Sequence, residues 1–216
     1  MCVFAVVGFA SLVGVAQTLT VDDNDIQSWN DVAITVPVRP KVDLYFPLTF
    51  RFTKDVGRFN EGRIGAGLVF KPTKAFSITP IYTFIQVRNS AGRFTTENRL
   101  SLAIGYKFPV KAVGLSHRSQ IERRFRSSGN TWRYRPSIKI ERSLPKGFVP
   151  GLKAFVSEEP FYDSASGRFS RNRLSLGVNK ILTKAVSLDI FYLRQDDNFS
   201  HPGLVHVIGT TWKVQL

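Results

Sequence analysis

The sequence predicts an all-β fold, a closed antiparallel transmembrane β-barrel of about 10–12 strands in an up-and-down meander. Three observations predict it. The stretch Phe94–Phe108 alternates from Asn98 onward. Leu100, Leu102, Ile104 and Tyr106 fall on one face, and Glu97, Arg99, Ser101, Ala103, Gly105 and Lys107 on the other, which is the period of two of a strand. This run exceeds the roughly 5–6 residues of an ordinary strand and reaches the about 9–11 that a tilted strand needs to cross a bilayer. Finally, the connections between such runs alternate between tight basic turns and longer polar loops, as in outer-membrane barrels with short periplasmic turns and long extracellular loops.

Composition narrows the class. The chain has 216 residues, 43% hydrophobic, with mean hydropathy −0.06. A barrel whose every second residue faces a polar interior falls in this range. Net charge is +14, from 30 Lys and Arg against 16 Asp and Glu. That excess attracts nucleic acid, anionic lipid or lipopolysaccharide phosphate. No nucleic-acid motif accompanies it, and the arginines sit in alternating strands rather than along a helix, so no nucleic-acid partner is expected. Cys2 is the single cysteine, which excludes a disulfide framework, and His117, His201 and His206 have no zinc spacing. No metal or other cofactor is expected.

Residues 1–16 form one long apolar run, and Gly14-Val15-Ala16 fits a small-x-small cleavage site. The run reads as a secretory signal peptide cut after Ala16, although no basic n-region precedes it; the other reading is a buried helix or an anchor. Residues 17–25 read as an acidic linker, and 26–216 as the barrel, without a domain boundary.

Eleven alternating runs follow. Ile26–Val38 places Val32, Ile34, Val36 and Val38 on one face, and Val42–Phe52 places Leu44, Phe46, Leu48, Phe50 and Phe52. Glu61–Phe70 and Phe76–Val87 come next, then Phe94–Phe108. Ala112–Arg126 is the most polar, and Trp132–Glu141 carries Trp132, Tyr134, Pro136, Ile138 and Ile140. Leu152–Phe161 is irregular. Phe169–Ile181, Val186–Gln195 and Leu204–Leu216 complete the set. A closed antiparallel meander wants an even number, so either one strand is missing from this count or Ile26–Val38 or Leu152–Phe161 lies outside the wall. The hairpins repeat. Thr73-Lys74-Ala75-Phe76 parallels Thr183-Lys184-Ala185-Val186, and Asn98-Arg99-Leu100-Ser101-Leu102 parallels Asn172-Arg173-Leu174-Ser175-Leu176. Gly57-Arg58-Phe59, Gly92-Arg93-Phe94 and Gly167-Arg168-Phe169 follow three of the long loops.

Alternation alone does not separate a membrane barrel from a soluble one, whose core would be apolar. Here the polar face is rich in small residues and in Arg with Glu, which suits a crowded lumen with internal ion pairs. The apolar face carries Phe70, Phe76, Tyr106, Phe108, Trp132 and Trp212 near strand ends, which suits two interfacial belts. The competing fold is a soluble barrel or sandwich with these aromatics inside, for instance a soluble lipid carrier. The distinguishing placement is Leu100, Leu102, Leu174 and Leu176 outside with Arg99 and Arg173 inside.

The opening Asp25-Ile26-Gln27-Ser28-Trp29, the Asn-Arg-Leu strand starts at 98–100 and 172–174, the segment Glu159-Pro160-Phe161-Tyr162 and the closing His206-Val207-Ile208-Gly209 carry a resemblance. From about Asp25 onward the chain resembles the bacterial outer-membrane β-barrel family known as domain of unknown function 2490. The resemblance implies an outer-membrane location, in a Gram-negative bacterium, and no agreed activity; a barrel there is expected to have outer-membrane lipid, lipopolysaccharide and the barrel-insertion machinery as partners. Such barrels usually end in Phe, where this chain has Leu216.

The candidate lumen-lining residues are Arg63, Glu97, Arg99, Arg133, Arg135, Glu141, Arg171 and Arg173. Their arginines either select anions in a porin-like pore or form a structural ion-pair network that fills the barrel. His117-Arg118-Ser119 has a His-x-Ser spacing that resembles some outer-membrane lipid hydrolases at those two residues. Residues two apart share a strand face, so His117 could activate Ser119 on the lipid side, although no third residue is identifiable to orient the imidazole. Lys54, Arg58, Arg93, Arg126 and Arg168 in the loops are candidates for lipopolysaccharide phosphates.

Overall fold

The computed structural model describes residues 24–145, 147, 149–198 and 200–216. The expected signal peptide, and the linker as far as residue 23, lie outside the described residues. Asn24 and Asp25, expected to end that linker, already belong to the first strand.

Among the described residues, eleven strands close into one barrel. They are β1 (Asn24–Arg39), β2 (Val42–Thr53), β3 (Arg58–Phe70), β4 (Phe76–Arg88), β5 (Phe94–Phe108), β6 (Gly114–Arg126), β7 (Thr131–Ser143), β8 (Leu152–Asp163), β9 (Arg168–Ile181), β10 (Val186–Asp197) and β11 (Leu204–Gln215). Each pairs with its sequence neighbours in antiparallel fashion, so the meander is up-and-down.

The expectation of an even count is corrected here. Both doubtful runs are wall strands, and the wall closes with β1 parallel to β11, from Asn24 opposite Leu204 to Thr35 opposite Gln215. An odd meander returns its last strand in the direction of its first, so the closing pair has to be parallel. A parallel ladder still gives the backbone its partners, at slightly lower stability per residue, and closure leaves no open edge.

The irregularity of β8 has a local cause. The β7–β8 ladder passes from Tyr134 opposite Tyr162 directly to Ile138 opposite Glu158. Pro136 and Pro160 lie in the skipped stretch, and neither has an N–H to give the ladder. The repeated hairpins are structurally alike. The Thr73 hydroxyl accepts the amides of Ala75 (3.3 Å) and Phe76 (3.1 Å), and Thr183 accepts those of Ala185 (3.1 Å) and Val186 (3.0 Å). Gly92 and Gly167 adopt φ of +78° and +65° just before β5 and β9, which explains glycine in two of the three Gly-Arg-Phe repeats.

The wall is inverted relative to a soluble barrel. Leu100 (52%), Leu102 (43%), Leu174 (43%) and Leu176 (52%) are exposed, while Arg99 (6%) and Arg173 (8%) are buried. Aromatic side chains gather at both ends of the apolar face. Phe70, Tyr106, Phe108 and Trp212 are exposed at the turn end. Phe59, Phe94, Phe125, Trp132, Tyr162 and Phe169 are exposed at the loop end. Phe59 contacts Phe52 and Phe94 at ring distances of 5.6 and 6.1 Å, and Tyr162 contacts Phe169 at 5.5 Å. Inside, a small apolar cluster of Trp29, Leu193, Val205 and Val207, with Phe191 against it, backs the parallel seam.

Candidate functional site

The period of two fixes which side chains enter the lumen, and the register fixes which of them meet. On β5, β6 and β7 the rows Glu97–Arg126, Arg99–Arg124 and Ser101–Glu122, then Glu122–Arg133 and Gln120–Arg135, set Glu97 and Glu122 among five arginines on the inner face. Glu97 accepts Arg99 at 2.6 Å and Arg124 through both oxygens at 2.9 and 2.6 Å. Asp163, from the loop end of β8, accepts Arg133 at 2.7 and 2.9 Å.

Deeper in, Glu122 is fully buried and accepts Arg135 (2.6 Å), Gln120 (2.9 Å) and Arg99 (3.5 Å). Glu159 takes Arg135 at both oxygens (2.9 Å), bonds Arg118, and has Arg173 at 3.8 Å. Arg135 therefore bridges two carboxylates. On the opposite flank Glu61 pairs with Arg63 (2.5 Å) and Arg51 (3.3 Å), and Asp197 pairs with Arg171.

Two aromatic side chains support the arginines. Trp29 has Arg51 at 3.8 Å and Arg173 at 4.6 Å from its ring, and Phe161 has Arg135 and Arg173 at 4.6 Å each. These contacts occupy guanidinium faces while the edges bind carboxylates. At the turn end the pairs involve lysine: Asp43 with Lys71, Asp189 with Lys213 (2.6 Å), and Glu141 with Lys139 (3.3 Å) and Lys153 (3.5 Å).

Seven of the eight expected lumen residues, Arg63, Glu97, Arg99, Arg133, Arg135, Arg171 and Arg173, thus stand in this network. Glu141 is also on the inner face, but apart, at the more open turn end. Sequence reasoning missed Arg51, Glu61, Arg118, Glu122, Arg124, Glu159, Asp163, Trp29 and Phe161. For β6 the signal was present, because Ile121 and Phe125 on the apolar face put Glu122 and Arg124 on the other. For β8 it was not, because Glu158 and Glu159 are adjacent and only one can point inward.

The described residues leave open space inside the lumen. A mid-barrel cavity of about 460 Å3 is lined by seven cationic side chains, Arg51, Arg63, Arg99, Arg118, Arg135, Lys139 and Arg173, and four acidic ones, Asp31, Glu122, Glu159 and Asp189. Among the described residues, Glu122 Oε2 and the Nε atoms of Arg51, Arg118 and Arg135 have no hydrogen-bond partner, which makes this a polar space. A second cavity of about 710 Å3 at the turn end is lined by Lys41, Lys71, Lys74, Lys107 and Arg118. Arg118 lines both and stands at their junction.

His117 and Ser119 lie on the outer face, where their spacing predicts them. His117 Nε2 is 2.9 Å from Ser119 Oγ, and Ser119 Oγ is 3.1 Å from the Tyr134 hydroxyl. The register that sets Ile121 opposite Tyr134 brings in this third group. A phenol on the serine, rather than a carboxylate or amide on the imidazole, is not the arrangement that orients a general base. The loop cations make local bonds: Arg58 donates to Gly92 O (3.4 Å), Arg126 to Thr131 (3.1 Å) and Arg168 to Asn198 O (3.4 Å).

No curated protein shows a significant match to this sequence. Among solved structures, the chain is similar to an anion-selective porin from Comamonas acidovorans, with 14% identity, a TM-score of 0.42, and coverage of 83% of this chain and 54% of that one. It spans about half the length of that porin. It is also similar to the β domain of the Bordetella autotransporter BrkA, with 13% identity, a TM-score of 0.48, and coverage of 79% of this chain and 83% of that domain. The family described as Protein of unknown function (DUF2490) matches residues 26–204, nearly the whole of the barrel wall, and the chain belongs to that family.

Proposed function

We propose that this chain is an integral outer-membrane β-barrel whose charge-filled lumen is a narrow path favouring small anions. The carrying observation is the inversion of the wall: exposed leucines alternate with buried, ion-paired arginines around the interior. Only an apolar surround accommodates that outer face, and the two aromatic belts match the two interfaces of a bilayer. A soluble lipid-carrying barrel needs an apolar interior, and this interior is charged. The anion preference rests on the seven-to-four excess of cations around the central cavity and on the lysines at the turn-end cavity.

Location is tested by fractionation. The protein is expected in the outer membrane, resistant to extraction without detergent, with a folded form that changes gel migration on heating. Recovery in the soluble fraction sinks this reading. Conduction is tested in planar bilayers. The wild type is expected to give small, anion-selective currents. Arg118→Ala, which thins the junction between the cavities, is expected to raise conductance and weaken selectivity. Silence from both proteins removes the pore and leaves a structural barrel.

The 2.9 Å contact between His117 and Ser119 favours a second reading, an outer-membrane lipid hydrolase. Its test is the lipid profile of cells carrying Ser119→Ala. An unchanged profile is expected, since nothing among the described residues orients His117; accumulation of uncleaved lipid in the variant would establish the enzyme instead.

A further inference from the structure

The outer face is not uniform. A groove of about 600 Å3 crosses it from β3 to β7, walled by Leu68, Tyr82, Leu100, Leu102 and Ile121. Its cause is Pro80. The β4 row that meets Leu102 on β5 holds this short ring, between the longer Leu68 and Leu102. Without an N–H, Pro80 also interrupts the β3–β4 ladder, which passes from Gly67 opposite Ile81 to Phe70 opposite Ile78. The surface is therefore low at Pro80.

Arg123 and Trp132 close the loop end of this groove. Arg123 is directed outward by register, opposite Leu100 on one side and Trp132 on the other. Its guanidinium lies 4.9 Å from the Trp132 ring and 5.7 Å from that of Phe125. Among the described residues it makes no ion pair, in contrast to the lumen arginines. Arg194, also outward, is neutralised by Asp196 at 2.8 Å. Arg123 stands three residues inside the end of β6 at Arg126, roughly 10 Å along the strand. From there its stem can run along the aromatic surface and lift the charge to headgroup level. An outward cation without a protein counter-charge, at the mouth of an acyl-sized groove, calls for an anion supplied by the lipid.

We infer that this groove is a binding site for lipopolysaccharide, with one acyl chain along Leu68, Pro80 and Leu102 and a lipid A phosphate on Arg123. This rests on the outer-membrane reading, which puts the long-loop end at the outer leaflet, where that phosphorylated glycolipid lies. The cation–π contact with Trp132 orients the guanidinium while leaving its N–H edge for a phosphate.

The test uses the full-length protein extracted in mild detergent, with purified deep-rough lipopolysaccharide as probe and native mass spectrometry as readout. Arg123→Leu removes the charge and keeps the outer face apolar, so the barrel folds. It is expected to weaken binding about ten-fold, the scale of one charge-assisted hydrogen bond. Leu100→Trp, which fills the groove and leaves Arg123, is expected to weaken it similarly, whereas Arg194→Leu, which removes an outward cation already paired with Asp196, binds as the wild type. Millimolar inorganic phosphate is expected not to compete, which separates a lipid headgroup from a free anion. Unchanged binding by both Arg123→Leu and Leu100→Trp overturns the site, as does equal retention of phosphatidylglycerol. If the wild type fractionates as a soluble protein, the membrane reading has failed and the groove with it. If the variants sit in the outer membrane and still bind, the groove alone has failed.

Discussion

Glu122→Ala is expected to lower the unfolding free energy of the barrel by about 3–5 kcal/mol, the range for breaking a buried ion pair from one side. Glu122 is fully buried and serves Arg135, Arg99 and Gln120 at once. Its loss leaves Arg135 with Glu159 alone and Arg99 with Glu97 alone, so the buried site is one negative charge short. Glu122→Gln keeps the shape and one acceptor oxygen, so the stability order is wild type, then Gln, then Ala. Urea unfolding of the protein refolded into lipid vesicles reads this order. The contrast is Asp196→Ala, which breaks the exposed pair with Arg194 and is expected to cost less than about 1 kcal/mol. Equal, small losses for Glu122 and Asp196 would show that the lumen network contributes no more than a surface pair.

Gly209→Val is expected to abolish the folded, heat-modifiable form. A Cβ at this position meets the Phe191 ring at 2.2 Å, and one at Gly177 meets Phe191 Cβ at 2.7 Å. Phe191 lies between these two glycines, opposite Gly177 on β9 and Gly209 on β11. On the lumen side the space over Gly209 is taken by the end of this ring. Gly209 also stands opposite Trp29 across the parallel seam, so the collision falls on the pair that closes the barrel. Overpacking ordinarily costs about 1–3 kcal/mol, and an approach this close to a ring held on both sides lies at or beyond the upper end. The double variant Gly209→Val with Phe191→Ala removes the obstacle and is expected to regain heat-modifiable migration. Failure of the double variant to fold would place the requirement for glycine in the backbone, not in the ring.

Much of the architecture was legible from residue order because its rule is local. Spacing alone puts Leu100, Leu102, Leu174 and Leu176 on one face and Arg99 and Arg173 on the other, and the small residues and paired charges beside the arginines mark theirs as the lumen. The matched Thr-Lys-Ala turns and Gly-Arg-Phe loop ends mark hairpin polarity in the same way, since a turn is specified by residues that touch within it. The local rule fails in β8. Pro160 beside Glu158 and Glu159 hides the phase of β8, and with it the partner of Arg118 and Arg135.

What the chain's order determined by itself is the inversion: oily side chains outward, arginine and glutamate inward, aromatics at the rims. What only the assembled barrel decided is who meets whom. Arg135 reaching both Glu122 and Glu159, and Tyr134 reaching Ser119, depend on the register between strands. The parallel seam joins residues as far apart as Asn30 and Thr210, whose side chains bond at 2.9 Å. A period of two is written into neighbours along one strand. The closing of eleven strands is a condition on the whole ring, and no single segment carries it.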